Sequence, residues 1–159
     1  MIIRWKRMVL LLLGLMLVVG CASGGGELEI KDVWGRNSPM VAQNSAFYMT
    51  IVNNTGADEQ LLSADVDVCG VVELHEMYMA ADDVMGMREV PGGVIDIPAG
   101  ATVELKVGGL HVMCIGKTAE LNLGDQIPIT LNFAQAGPKT ITAEIRDEPP
   151  AGGMHNMGG

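Results

Sequence analysis

Positive charge is scarce in this chain of 159 residues, which carries ten Lys and Arg against nineteen Asp and Glu. Such a polypeptide does not hold nucleic acid or an anionic bilayer face through bulk electrostatics; a cation or a positively charged partner suits it better. Cysteine is limited to three residues. The apolar run from Met8 to Val19 is too short to span a bilayer comfortably. Between Glu27 and Arg146 there is no helical stripe and no internal repeat, which leaves β-structure. Ser45 and Ser63 lie in no recognisable nucleophile motif, so hydrolytic catalysis is not expected and the chain is not read as an enzyme.

The N-terminus has the composition of an export signal. Arg4, Lys6 and Arg7 form a basic start, and the apolar run that follows has the length of a signal core. Leu17-Val18-Val19-Gly20-Cys21 resembles a bacterial lipobox, in which cleavage before the cysteine leaves a residue that carries lipid. The alternatives are an uncleaved anchor or an unrelated cysteine after an ordinary signal. On the lipoprotein reading, residues 1–20 are removed, Cys21 is lipidated, and residues 21–26, with Ala22-Ser23-Gly24-Gly25-Gly26, form a flexible tether holding the protein to a membrane outside the cytoplasm. Removal takes away three basic residues and no acidic ones, for a mature net charge of −12. Residues 27–146 then form one domain, and residues 147–159 a mobile tail that begins at Asp147-Glu148-Pro149-Pro150.

Within that domain, hydrophobic residues alternate with polar ones at the period of a half-buried strand. Val103, Leu105 and Val107 form one such set, Ile127, Ile129, Leu131 and Phe133 a second, and Ile141, Ala143 and Ile145 a third. Earlier strands are expected over Leu28 to Trp34, Ala46 to Val52, Gln60 to Ala64, Val71 to Met77 and Val84 to Val90. Turn sequences such as Asn53-Asn54-Thr55-Gly56, Pro91-Gly92-Gly93 and Pro98-Ala99-Gly100 separate them. Eight or nine strands joined in this way predict an all-β Greek-key sandwich or barrel.

The residues with distinctive chemistry are soft metal ligands. His111 and Met113 are two apart, so on a strand they point to one face and present an imidazole beside a thioether. His75 lies near Met77, Met79, Met85 and Met87; a hairpin turning at Ala81-Asp82-Asp83 brings its two arms together, so that His75 and Met87 can face one point. Methionine usually fills gaps in a core. The mature chain has nine methionines and three histidines, and the crowding of Met77, Met79, Met85 and Met87 around His75 argues for ligation as well. Thioether sulfur is neutral and soft, so it binds Cu(I) and offers little to Mg2+, Ca2+ or Zn2+. Two imidazoles and two thioethers leave a Cu(I) site with a charge near +1. Met154, His155 and Met157 repeat these ligand types in the tail, which reads either as an ordinary frayed end or as a segment that recruits a second copper.

With Cys21 lipidated, Cys69 and Cys114 remain. An even pair of thiols outside the cytoplasm points to a disulfide; the competing readings are a Cys2His2 zinc site with His75 and His111, and two free buried thiols. A blue-copper electron carrier is disfavoured, because it commonly takes Cys, His and Met in that order from one loop, and here Cys114 follows both His111 and Met113.

Val72-Glu73-Leu74-His75-Glu76-Met77, Val84-Met85-Gly86-Met87-Arg88-Glu89-Val90, Ile97-Pro98-Ala99-Gly100 and Gly108-Gly109-Leu110-His111-Val112-Met113 together resemble, in order, the core of the periplasmic copper chaperones known as PCuAC. The resemblance covers most of residues 27–146. It implies a cupredoxin-like fold and one Cu(I) held by His75, Met87, His111 and Met113. Eleven residues separate His75 from Met87, one more than that family usually has, and Met77 or Met85 is an alternative to Met87. The resemblance further implies delivery of copper to an acceptor such as the binuclear copper centre of cytochrome c oxidase, or another copper chaperone, by a monomer. Copper buffering or resistance uses the same site. A lipid-anchored binding module with no metal role is the reading from a different class.

Overall fold

The computed structural model describes residues 26–80 and 83–150, and these form ten β-strands. They are β1 (Leu28–Arg36), β2 (Ser45–Asn53), β3 (Glu59–Asp65), β4 (Val71–Met79), β5 (Met85–Glu89), β6 (Ile95–Ile97), β7 (Thr102–Leu105), β8 (His111–Ile115), β9 (Gln126–Phe133) and β10 (Gly137–Arg146). Nine of these ten answer to the sequence reading. The addition is β6, whose three residues are too few for an alternating pattern to register. Strand β7 also ends earlier than its alternation implies, because Val107 enters the turn at Gly108, where φ is +79°. That left-handed conformation carries no steric cost for glycine.

All ten strands belong to one hydrogen-bonded sheet in the order β5-β4-β8-β2-β1-β10-β9-β3-β6, with β7 added to β2. The path has open ends at β5 and β6 among the described residues, so the architecture is a sandwich made by a sheet folding over itself, without barrel closure. Phe47, Leu74 and Val112 from one half meet Leu61, Ile129, Leu131 and Ile145 from the other in a single buried cluster. The alternation in β9 and β10 serves this core directly: Ile129, Leu131, Ala143 and Ile145 are buried.

Strands β2 and β8 depart from simple alternation because both of their faces are covered. Phe47, Met49 and Ile51 enter the main core, while Ala46 and Tyr48 join Trp34 in a second cluster. Trp34 lies opposite Tyr48 in the β1–β2 register, and their rings are 4.6 Å apart. This smaller cluster supports the outer face of β8. On the inner side Cys114 is bonded to Cys69, joining β8 to the turn before β4 across 45 residues of chain. Both sulfurs are used in that bond, so neither is a thiolate for zinc.

The opposite end is pinned by two buried polar residues. Asn53 Nδ2 donates to the carbonyls of Ile97 (2.8 Å) and Ala57 (2.9 Å), joining β2 to the end of β6. The Glu59 carboxylate accepts from the backbone N–H groups of Gln60, Gln135 and Ala136, tying β3 to the β9–β10 turn. Burial raises the pKa of Glu59, but these backbone donors outweigh it and hold the carboxyl below its ordinary value.

Two stability predictions follow from this frame. The Cys69→Ala/Cys114→Ala protein should lose about 4 kcal/mol by denaturant unfolding, the order expected for opening a loop of this length. Glu59→Gln should cost about 2 kcal/mol near neutral pH. Because the folded-state pKa of Glu59 is lowered, that stabilisation is present above its unfolded value and disappears as pH falls through the folded one, so the two urea curves should converge in acid.

Candidate metal centre

Strand β4 lies between β5 and β8, and both pairings are antiparallel. In the β4–β8 ladder His75 faces His111 and Glu73 faces Met113. In the β4–β5 hairpin His75 faces Glu89, Met77 faces Met87, and Met79 faces Met85. Directly opposed residues share a face of the sheet, as do residues two apart on one strand. The two histidines, Met113 and all four hairpin methionines therefore lie on one side. It is the side away from the main core: Leu74, Val112 and Cys114, at the intervening positions, point inward.

His111 is 4% exposed. Its Nδ1 is 3.1 Å from the Gly109 carbonyl, which can only accept, so Nδ1 carries the proton and Nε2 presents a lone pair. That lone pair faces Met87 Sδ at 3.2 Å. Nitrogen and sulfur thus present electron pairs to one small region, as two ligands of one soft cation would. Burial lowers the pKa of His111; the Gly109 hydrogen bond opposes this, and nearby His75 adds to it. Desolvation keeps the ring neutral and able to donate its lone pair.

His75 is arranged in the complementary way. Its Nε2 donates to Glu73 Oε2 at 2.7 Å, so in the neutral ring Nδ1 is the nitrogen with the lone pair. His75 Nδ1 is buried and has no hydrogen-bond partner in the structure. A buried nitrogen without a partner is costly, and a metal ion is one way to satisfy it. A carboxylate on the other ring nitrogen is also the usual way of fixing a ligating imidazole. The two rings are 5.8 Å apart, centroid to centroid, and steeply inclined at 64°.

Met77, Met87, His111 and Met113 line a cleft of about 400 Å³, which Tyr48 and Arg36 border on the side of β2 and β1. Burial pushes the Tyr48 hydroxyl pKa up, with Arg36 opposing. Exposure rises outward from the cleft. Met113 is 9% exposed, whereas Met87, on the edge strand, is 46% exposed. Among the described residues no three His, Cys, Asp or Glu side chains converge.

Of the sequence candidates, His111 and Met87 are in contact, His75 lies beside His111, and Met113 and Met77 line the same cleft. Met85 is farther along the hairpin, opposite Met79. Cys69 and Cys114 are joined to each other on the core side of β8. Cys21, Met154, His155 and Met157 lie outside the described residues. Sequence reasoning passed over Glu73 and the Gly109 carbonyl, which set the two imidazole tautomers. Glu73 carried a usable signal, since it is two residues before His75 and so shares its face.

The fold is cupredoxin-like and is shared with PCuAC domains of solved structure. The apo PCuAC domain from PmoF1 superimposes with a TM-score of 0.66 at 24% identity, covering 78% of this chain and 97% of that domain. The copper-bound PCuAC domain from PmoF2 gives 0.63 at 22% identity, covering 78% and 96%. The solution structure of CuI-DR1885 from Deinococcus radiodurans gives 0.58 at 24% identity, covering 82% and 84%. At these identities the likeness is one of fold.

The chain belongs to the LpqE-like family, described as "Putative lipoprotein LpqE-like", whose model matches residues 28–145. One relative is "Putative lipoprotein Lxx21020" of Leifsonia xyli subsp. xyli, 31% identical over 97 residues that make up 60% of this chain and 57% of that protein. "Uncharacterized protein RP573" of Rickettsia prowazekii is 28% identical over 107 residues, 67% of this chain and 58% of that protein. The match thus spans less than two thirds of either relative.

The lowered pKa of His111 has a direct test in the metal-free protein. Titration followed through the imidazole 15N shifts should give a midpoint for His111 below the ordinary 6.5, with the Nε2 lone-pair tautomer dominant above it. A midpoint above 6.5 would show that the ring is not desolvated as described.

Proposed function

We propose that this protein is a lipid-anchored, extracytoplasmic metallochaperone that binds one Cu(I) through His75, Met87, His111 and Met113 and passes it to an acceptor by ligand exchange. The observation that carries the reading is the convergence of unprotonated donors: His111 Nε2 against Met87 Sδ at 3.2 Å, with the buried, unpartnered Nδ1 of His75 nearby. The same contact supports Met87 over Met85 as the hairpin ligand. That two structural neighbours are described as copper-bound and CuI forms supports copper as the ion for this fold.

The chemistry suits transfer. Thioethers require no deprotonation, so binding through them releases no proton, and only the imidazoles compete with acid. Four neutral donors leave the ion's single charge unneutralised at the site, which favours Cu(I) over divalent ions and keeps it exchangeable. His75 and His111 are fixed by Glu73 and Gly109, whereas Met87 stands half-exposed on an edge strand. An incoming donor from the acceptor can therefore displace Met87 first, while the two imidazoles and Met113 hold the ion until a second bond forms.

On this reading the acceptor is a membrane oxidase, with the binuclear copper centre of cytochrome c oxidase the leading case. Residues 1–20 are a lipoprotein signal, residues 21–26 a tether acylated at Cys21, and Met154, His155 and Met157 in the tail beyond residue 146 a supplementary copper-binding segment. The lipoprotein names of the family model and of the Leifsonia relative support the anchor.

Anaerobic competition titration of residues 22–159 with a Cu(I) chelator tests the site. Wild type should bind one Cu(I) tightly, and His111→Ala/Met113→Ala should lose at least about 100-fold in affinity, more than the tenfold or so expected for Glu73→Gln, which removes only an orienting group. Equal binding by the double variant and the wild type would overturn the reading.

A further inference from the structure

The hairpin carries more thioether than one site uses. Met79 and Met85 are directly opposed, as are Met77 and Met87, and all four side chains lie on the face that bears the histidines. They form a two-rung ladder from the cleft toward the tip of the hairpin, with rungs about 7 Å apart at two residues per step. The outer rung is not core packing: Met79 is 59% exposed and Met85 49%.

The reverse face of the hairpin has its own stabilising contacts. The Tyr78 ring covers Gly86, where an added Cβ would come within 2.7 Å of the ring. The Arg88 guanidinium sits 4.4 Å from that ring's centroid and pairs with Glu76 at 2.7 Å. Tyr78 and Gly86, and Glu76 and Arg88, are themselves opposed pairs. Cohesion of the two strands is thus supplied from the side without methionine, and exposed sulfur on the other side has a chemical use available to it.

We infer that Met79 and Met85, with Met77 of the inner rung, form a second and weaker Cu(I) site at the hairpin tip, through which the ion reaches and leaves the histidine site. This deepens the proposed function and rests on it for the receiving site. Three neutral thioethers form a soft shell that excludes hard divalent ions. Without an imidazole it binds less tightly than the inner site, as a loading station must. The ion moves inward as the sulfur bonds at the outer rung break and bonds to Met87 Sδ and His111 Nε2 form; copper remains Cu(I) throughout, and no proton or electron is exchanged.

The test is a titration of the full chain in detergent micelles with Ag(I), a redox-inert substitute for Cu(I), followed through 13C-labelled methionine methyl groups. The first equivalent should move Met87 and Met113, and further Ag(I) should move Met79 and Met85; tail methionines report separately. In Met79→Leu/Met85→Leu, which keeps the volume and apolar character of both positions, the inner-site response should persist while loading from a Cu(I) chelator slows severalfold. Methyl groups of Met79 and Met85 that stay fixed in excess Ag(I), or a double-leucine protein that loads at the wild-type rate, would overturn the inference. Failure of the inner site would register differently, as an absent response at Met87 and Met113 whatever the outer rung does.

Discussion

The antiparallel register of β4 between β5 and β8 is the constraint on which the site depends. It sets His75 opposite His111 and Met77 opposite Met87, so four soft side chains from three strands meet on one face. The side-chain period of a strand is two, and a slip of one residue in the β4–β8 ladder would send part of the set into the core and bring Leu74 or Val112 out. The register is enforced from the inner side, where Leu74, Val112 and Cys114 are buried in the main cluster and Cys114 is joined to Cys69. Packing on the core side therefore positions the histidines and methionines on the other.

Strand β8 shows how these demands are combined in five residues. Val112 and Cys114 serve the core, and His111 and Met113 serve the outer face, where Ala46, Tyr48 and Trp34 shield the strand from water. That shielding is what depresses the pKa of His111, and the Gly109 carbonyl selects which nitrogen keeps its lone pair. Glu73 does the corresponding service for His75. Both imidazoles are held in orientation by these partners, and burial holds His111 toward its neutral form, while the thioether of Met87 is left accessible. A buried pair of imidazoles thus stands beside an exposed sulfur.

The strand reading was largely recoverable because nearly every element is half-buried and alternates visibly. Where it erred, the cause was length or coverage: β6 is too short to show a period, and β7 stops at the turn before Gly108 even though Val107 continues the alternation. The candidate residues were equally legible, since His111-x-Met113 and the methionines around His75 stand out in the sequence without any structure. Choosing among Met77, Met85 and Met87 was not, because the length of the hairpin turn decides which methionine comes to His111.

From its residues alone, then, this chain determines an all-β domain, an acidic surface and a supply of neutral soft donors, because these depend on local alternation, charge and side-chain chemistry. Tertiary structure decides the rest. The contact of His111 Nε2 with Met87 Sδ and the union of Cys69 with Cys114 arise from pairings between segments distant in the chain. Their register is set by packing of the core as a whole, which no local pattern encodes.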